Sequence, residues 1–416
     1  MRRSTLGVIA AAAVVNAAYP GDIVQYWVEQ SSILVNGSVI GGLQSPPSAW
    51  YTAIVQASVY EAALSSKRET LEFQQLAVSH AAHNAIVYVF HGTRNYGATD
   101  AALRSVVPAI GLDPNSTDGR EAVKRGRKAA SKVVSARADD GINNFVDYVF
   151  SPKYPLAYQA TPGSAAIPDT PQARFVKPFA ALGDLTRFRA PPPPNVTAKE
   201  YETHLVYVKA QGGLNSTVRT AYDTDTAYFW RESSISGWNR LAHAVVGNSL
   251  ATKVVESAKF YAQLNLALAN AGFASWDTKY AYNTWRPVTA IQRTDVFLPS
   301  GLNVSDPSWV PLLRPTPSHP DYVSTHSTFG GAAAAVIRVW NGGDKINATL
   351  SSNVTLDARG VITRRYFSLK EAAVENSRSR VFGGIHFTYA GATGEDVGEA
   401  VALETLKKFD DHWNEF

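Results

Sequence analysis

Two cations followed by a proline form the first group of residues whose types and spacing suggest chemistry. Lys279 and Arg286 lie seven positions apart, and Pro287 follows the arginine. Seven residues make about two helical turns, so a helix would place both cations on one side, where they could bind an anion. Pro287 discourages a helix from continuing through Arg286. Two unrelated, solvated surface charges are the ordinary alternative for this segment alone.

A serine and a histidine at the predicted start of a helix form the second group. The segment His319–Thr328 precedes Phe329, two glycines and four alanines, which predicts a turn and then a helix that can lie deep in a bundle. Free backbone N–H groups and the helix dipole favour an anion there. Ser324 adds a hydroxyl donor, and His326 can move protons near neutral pH. An ordinary serine cap beside an unrelated histidine is the alternative.

An arginine, a glycine pair and a histidine form the third group. They lie in the segment Ser379–His386, with Arg380 before the glycines and His386 after them. The glycines could bring the backbone close to a ligand on which both side chains converge. The alternative is a glycine stop at the end of a helix, followed by an unrelated histidine.

Together, the three segments resemble the pattern of type 2 acid phosphatases and vanadium haloperoxidases, which reads K-x6-R-P, P-S-G-H and S-R-x5-H-x3-D. The lysine, both arginines, both serines and both histidines of that pattern are present. Three positions depart from it: Val323 replaces its proline, Thr325 its glycine and Ala390 its aspartate, a residue that would orient a histidine. The similarity extends from about Asp22 to the end of the chain and includes Arg187–Pro191.

The resemblance implies a pocket that binds vanadate or phosphate. The residues that would surround the oxyanion are Lys279, Arg286, Ser324, Thr325 through its backbone N–H, and Arg380. His386 would bind vanadium or, in a phosphatase, attack phosphorus, while His326 would be the general acid–base. Lys279 would also polarise hydrogen peroxide in a peroxidase.

Two enzymatic functions and one non-enzymatic function are compatible with such a pocket. A haloperoxidase would use vanadate and hydrogen peroxide to oxidise halide to a hypohalous-acid-like species that reacts with small organic acceptors. A secreted acid phosphatase would use a phosphohistidine intermediate in the same pocket. A non-catalytic protein would bind the anion in a degenerate pocket. We favour the haloperoxidase.

Two further residues are candidates for the halide pocket, and one of them indicates which halide is preferred. His319 stands seven residues before His326, where chloroperoxidases of the family carry phenylalanine and bromoperoxidases histidine, which favours bromide or iodide over chloride. A loop histidine beside Pro320 is the alternative. Trp285 is a candidate wall of the halide pocket, with a core tryptophan as its alternative.

Helical spacing of apolar residues predicts the elements that position these groups, and period-two alternation is scarce. The predicted helices are Pro47–Leu64, Gln74–Phe90, Arg120–Arg137, Thr197–Gln211, Thr220–Trp230, Leu241–Ala271, Phe329–Trp340, Leu369–Arg380 and Gly394–Phe409. The fold class is therefore all-α, with two packed helical bundles. Residues 18–150 form the N-terminal half, 151–198 a proline-rich ordered crossover, and 199–416 the C-terminal half with the oxyanion site.

Composition narrows the functional class. The 416 residues are 45% hydrophobic with a net charge of +4 and no basic stripe, which excludes a nucleic-acid binder. The absence of cysteine excludes disulfides and thiol nucleophiles. Three N-terminal histidines without a metal-ligand pattern, at positions 80, 83 and 91, are interpreted as structural or exposed.

The N-terminus predicts export. Residues 1–17 combine a basic head, a short apolar stretch and a small-residue cleavage site, as in a signal peptide, and no other stretch predicts a membrane span. N-glycosylation sequons are present at Asn36, Asn115, Asn195, Asn215, Asn303, Asn347 and Asn353. We therefore expect a secreted glycoprotein.

Overall fold

A computed structural model of the chain describes residues 21–37, 45–90, 97–163, 167–293, 295, 298–352 and 360–416. The predicted signal peptide lies outside these residues. The helices are α1 (Ile23–Gly37), α2 (Ser45–Ser65), α3 (Leu71–Phe90), α4 (Gly97–Ile110), α5 (Thr117–Ala136), α6 (Lys199–Gly212), α7 (Ala221–Phe229), α8 (Ser234–Val246), α9 (Val254–Tyr282), α10 (Pro287–Gln292), α11 (Thr325–Asn341), α12 (Leu369–Phe382) and α13 (Thr388–His412). Strands β1 (Lys345–Ser351) and β2 (Thr363–Ser368) pair as an antiparallel hairpin. The predicted all-α class is confirmed.

Several helices begin where a hydroxyl or carboxylate side chain replaces a missing helical hydrogen-bond partner. The Ser116 hydroxyl accepts a hydrogen bond from the Gly119 N–H at the start of α5. Thr220 and Asp223 form a reciprocal capping box at the start of α7. Side-chain caps of this kind contribute about 1 kcal/mol each to helix stability. The predicted start at Thr220 is the cap of α7, whereas α5 begins three residues before the predicted Arg120.

One predicted helix is wrong, because Leu241–Ala271 spans two helices. Helix α8 ends at Gly247, whose φ of 54° is a conformation that glycine adopts readily. Helix α9 begins at Val254 and continues past Ala271 to Tyr282. The longer α9 carries Lys279 in its last turn, so the break and the extension both matter for the site.

The crossover between α5 and α6 is held on α9. In the described part of this segment the chain forms no α-helix, only two short 3-10 turns. Both Nε and Nη2 of Arg189 donate to the Asp277 carboxylate, each at 2.8 Å. The carbonyl of Ala190 accepts from the Tyr282 hydroxyl at 2.7 Å. A bidentate pair of this geometry fixes direction as well as position, so the proline run starts beside the end of α9.

Helix α11 lies deep in the C-terminal bundle because small residues let its neighbours approach its backbone. A Cβ built on Gly331 would be 2.1 Å from the carbonyl oxygen of Glu395 in α13. A Cβ on Gly398 would be 1.9 Å from the carbonyl oxygen of Thr328. Both distances are far inside van der Waals contact, so only glycine permits this packing. The start of α11 is therefore buried among α9, α12 and α13.

Across the described ranges, no helix combines the length and apolar character needed to cross a bilayer.

Candidate active site

Lys279 and Arg286 meet in the fold, although not on one helix as their spacing predicts. Helix α9 ends at Tyr282, and Asn283 turns the chain with a φ of 50°. Arg286 then precedes α10, with Pro287 at the first helical position. The two-turn alignment is wrong because the helix ends between the two cations. The turn nevertheless places both cations in contact with the segment that precedes α11.

The Lys279 ammonium is wholly buried, and two of its three N–H groups donate hydrogen bonds within the protein. Its Nζ donates to the carbonyl oxygens of Pro320 at 2.7 Å and Asp321 at 2.9 Å. An ammonium has three donors, so one N–H is left for a ligand. Burial, together with the Arg286 charge, lowers the pKa of Lys279 well below its ordinary value, while Asp321 raises it. A bound anion would stabilise the protonated form.

Arg286 connects the second and third segments. Its Nε donates to the His319 carbonyl at 2.8 Å, and its Nη1 donates to the Ile385 carbonyl at 2.7 Å. Nη1 also lies 3.0 Å from Nε2 of His386. The guanidinium is fully buried, and burial lowers its pKa. The alternative of a solvated surface charge does not describe either Lys279 or Arg286.

Arg380 adds a third buried cation from the last turn of α12. Its Nη1 donates to the Trp230 carbonyl at 3.1 Å. Its Nε has no hydrogen-bond partner among the described residues. Burial and the nearby Arg286 lower the pKa of Arg380 to about 9. A buried guanidinium with an unused N–H is costly unless an acceptor binds it, and an oxyanion is such an acceptor.

Ser324 occupies the N-cap position of α11 but does not cap it. The hydroxyls of Ser116, Thr220 and Ser368 accept backbone N–H groups at their helix starts, whereas Ser324 makes no such bond. Its Oγ is buried and has no partner in the described structure. The backbone N–H of Thr325, at the first position of α11, has no acceptor within the helix. The ordinary-cap alternative is therefore not what the geometry shows.

The ring of His386 lies between Arg286 and a carboxylate. Its Nδ1 is 2.8 Å from Oδ1 of Asp321, although the two groups are not aligned as in a straight hydrogen bond. Burial, then Arg286, Lys279 and Arg380, lowers the pKa of His386 well below its ordinary value. The ring is therefore neutral near pH 7. A guanidinium can only donate, so Nε2 facing Arg286 carries the lone pair.

His326 follows Ser324 by two residues and faces another element. Its Nε2 lies 3.3 Å from the Glu232 carbonyl oxygen, an acceptor only, so the proton of the neutral ring is on Nε2. Burial and the charge of Arg380 lower its pKa well below the ordinary value. Its Nδ1 is then the basic atom, as a general acid–base needs.

His319 and Trp285, the two candidate halide-pocket residues, have different surroundings. His319 is buried, packs against Trp276 with ring centroids 4.7 Å apart, and has Nδ1 at 3.0 Å from Nη2 of Arg286. Trp285 is wholly buried, and its Nε1 donates to the Tyr201 hydroxyl at 3.0 Å. His319 thus contacts a cation of the site directly, whereas Trp285 packs in the core.

Asp321 is the site residue that sequence patterns did not reveal. Burial raises its pKa to about 7, while Arg286 and Lys279 lower it. It lies in the second segment beside Pro320, but its contact with His386 joins positions far apart in the chain. The one available signal was an acidic residue inside a segment otherwise suited to binding an anion.

The unbonded Ser324 hydroxyl leads to a first prediction. In Ser324→Ala we expect phosphate affinity to fall by about 10–100-fold, because a hydrogen bond to a charged group is lost. Thermal stability should change by less than about 0.5 kcal/mol, since no bond within the protein is broken. Isothermal titration calorimetry and thermal unfolding measure the two effects.

Ser327→Ala is the matched control, one turn from Ser324 on the same helix. The Ser327 hydroxyl donates to Ser377 at 3.2 Å. Its loss should lower stability by about 1 kcal/mol and leave phosphate affinity unchanged. Equal phosphate binding by Ser324→Ala and the wild type would remove Ser324 from the site.

The cationic surroundings of His326 lead to a second prediction, on pH. Because nearby cations lower the pKa of His326, an oxyanion that neutralises them should raise it. Histidine ring signals followed by NMR over a pH titration, with and without phosphate, measure this change. The variant His326→Gln identifies the signal. A His326 pKa that is the same in both titrations would contradict a shared pocket.

Comparison with known proteins identifies relatives that share the fold and part of the sequence. The family described as "VCPO second helical-bundle domain" matches residues 259–415, which include most of α9 and all of α10, α11, α12 and α13. A vanadium chloroperoxidase of Curvularia inaequalis is 26% identical over an alignment that covers 48% of this chain and 41% of that protein. The alignment thus spans less than half of that relative's length.

Solved structures share the fold over nearly the whole chain. A bacterial vanadium-dependent chloroperoxidase in its holo form superposes with a TM-score of 0.73 at 18% identity, covering 94% of this chain and 97% of that one. A bacterial vanadium-dependent iodoperoxidase superposes with a TM-score of 0.74 at 19% identity, covering 94% and 98%. The chain thus has the fold of the vanadium haloperoxidases, and its C-terminal part, residues 259–415, matches the second helical-bundle domain of that family.

Proposed function

We propose that this protein binds vanadate and uses hydrogen peroxide to oxidise halide. The observation that carries the proposal is the convergence of three buried cations on His386, whose Nε2 bears a lone pair. Vanadate is a tetrahedral oxyanion, so it needs donors for its oxygens and one nitrogen ligand for the metal. The relatives named above are vanadium haloperoxidases, which supports this choice over other oxyanions.

The residues present fit the group. The unused N–H of Lys279, the unpartnered Nε of Arg380 and the unpartnered Oγ of Ser324 are donors that an oxyanion would satisfy. Nε2 of His386 is the atom that would coordinate vanadium, and Arg286 and the Thr325 N–H would complete the set. Bound vanadate would supply a Lewis-acid centre that activates hydrogen peroxide.

The chain's own residues would offset the charge of the oxyanion and transfer protons in this reaction. Arg286 and Arg380 hold the oxyanion in place and offset its charge. The overall change consumes halide, hydrogen peroxide and one proton, and yields hypohalous acid and water. Neutral His326 can accept a proton from hydrogen peroxide at Nδ1 and return one to the oxygen that leaves as water. The remaining N–H of Lys279 polarises the oxygen that the halide attacks.

The proposed halide preference is bromide or iodide over chloride, and small organic compounds are the proposed acceptors of the oxidised halogen. The halide preference rests on His319, which lies against Arg286 beside the pocket. Comparing kcat/KM for the three halides tests it, and a higher value for chloride would contradict it. In His319→Phe the preference should move toward chloride.

The activity is tested on protein stripped of anions and then given orthovanadate. Bromide oxidation by hydrogen peroxide should appear only with vanadate and be blocked by phosphate. Hydrolysis of a phosphate ester that vanadate inhibits, without halide oxidation, would instead establish the phosphatase. A protein that binds neither oxyanion would be the non-catalytic alternative.

We also propose that the protein is secreted and N-glycosylated. Five sequon asparagines, at positions 115, 195, 215, 303 and 347, are exposed, as glycan attachment requires. Asn353 and the side chain of Asn36 lie outside the described residues. A fall in apparent mass after N-glycosidase treatment of protein from its natural medium tests both claims. Unmodified protein found only inside cells would contradict them.

A further inference from the structure

The carboxylate of Asp321 has an unusual place for an acidic group, beside the buried cations Lys279 and Arg286. Asp321 is fully buried, and its Oδ1 lies 2.8 Å from Nδ1 of His386. The backbone on both sides is held firmly: its N–H donates to the Thr284 carbonyl at 3.0 Å, and its carbonyl accepts from Lys279. The acid is therefore placed by the same residues that build the cationic pocket.

The opposite edge of the ring defines which nitrogen is free. Nη1 of Arg286 lies 3.0 Å from Nε2 of His386 and can only donate to it. A neutral imidazole with its lone pair on Nε2 carries its proton on Nδ1, which faces Asp321. The carboxylate is therefore on the side of this proton, with Oδ1 2.8 Å from Nδ1, and the lone pair is on the side of the cations.

The family pattern has an aspartate where this chain has Ala390, and an alanine side chain cannot accept a hydrogen bond from His386. Ala390 has no acidic side chain, and its carbonyl accepts from the Ser324 N–H at 2.8 Å. It therefore supports the start of α11, while an acid from a different segment contacts the histidine. We propose that Asp321 is the positioning residue of His386, holding Nε2 toward the oxyanion and making it a better vanadium ligand, in place of the aspartate absent at Ala390.

This inference rests on the proposed vanadate site, and its test must separate positioning from simple charge. Removing a negative charge from a cationic pocket should by itself strengthen the binding of every oxyanion. Loss of a partner that orients a metal ligand should weaken vanadate binding specifically, because phosphate gains far less from a nitrogen ligand. The two roles thus predict opposite changes for vanadate.

The experiment measures orthovanadate and phosphate dissociation constants by calorimetry for the wild type and the isosteric variant Asp321→Asn. We expect vanadate affinity to fall by about 10–100-fold and phosphate affinity to stay level or rise. Asp169→Asn is the matched control: it removes a half-buried carboxyl that is also in the field of Arg286, and the ratio of the two affinities should not change.

A double-mutant cycle completes the test. In a His386→Ala background, Asp321→Asn should no longer alter the ratio of vanadate to phosphate affinity. A ratio unchanged by Asp321→Asn in the wild-type background, or a change that persists without His386, would overturn the inference.

A measurement without vanadate keeps this inference distinct from the proposed function. In ligand-free wild-type protein labelled with ¹⁵N-histidine, His386 should show a protonated Nδ1 and a low-field Nδ1–H proton signal, which moves upfield in Asp321→Asn. A ring protonated on Nε2 would overturn the inference even if that variant does not fold. Correct ring signals in a protein that oxidises no halide would instead reject the activity and leave the role of Asp321 standing.

Discussion

His386→Ala is expected to abolish vanadate-dependent halide oxidation, with a loss on the order of 10³-fold or more. The substitution removes Nε2 of His386, the nitrogen proposed to coordinate vanadium. It also leaves Asp321 as a buried carboxylate without its imidazole partner. Steady-state rates of bromide oxidation at saturating vanadate measure the loss, and vanadate titration shows how much of it reflects weaker binding.

The control for His386→Ala is the same substitution at His243, which is exposed on α8 and outside the proposed site. His243→Ala should retain full activity. A phosphatase would lose its activity in His386→Ala as well, because the same atom would attack phosphorus. Unchanged turnover in His386→Ala would therefore remove the site assignment under either activity.

His326→Gln is expected to lower the turnover rate by about 10²–10⁴-fold, the usual contribution of general acid–base catalysis. Vanadate affinity should change by only a few-fold, because His326 is not among the groups proposed to hold the oxyanion. Glutamine can still donate a hydrogen bond to the Glu232 carbonyl, which His326 faces at 3.3 Å. The comparison of kcat with the vanadate dissociation constant separates the two effects.

The pH dependence of the same variant gives an independent check. In the wild type, kcat should fall as the pH is lowered and His326 becomes protonated, because only the neutral ring accepts a proton. In His326→Gln this acid limb should disappear from the profile. A variant that keeps its rate and its acid limb but loses vanadate would show that His326 supports binding instead of proton transfer.

The features predicted correctly from sequence are those encoded over short distances. Each of the three motifs lies within about ten residues, so spacing alone brings Ser324 to a helix start and Arg380 to a helix end. The all-α class is equally local, since it follows from apolar periodicity. Helix starts with side-chain caps, such as Thr220, are readable for the same reason.

The features that sequence did not predict depend on tertiary contacts. Helix α4 contains Pro108, which obscures its pattern, and α1 is rich in β-branched and aromatic residues. The alignment of Lys279 with Arg286 comes from a turn at Asn283, not from a continuous helix. The contact of Asp321 with His386 depends on how two distant segments meet, which no local pattern contains.

The most direct test of the pocket is a crystal structure of anion-free protein supplied with orthovanadate, with vanadium located by its anomalous scattering. We predict one vanadium per chain on Nε2 of His386, with its oxygens directed at Lys279, Arg286, Arg380 and Ser324. Vanadium bound elsewhere, or no vanadium at concentrations that support activity, would contradict the account.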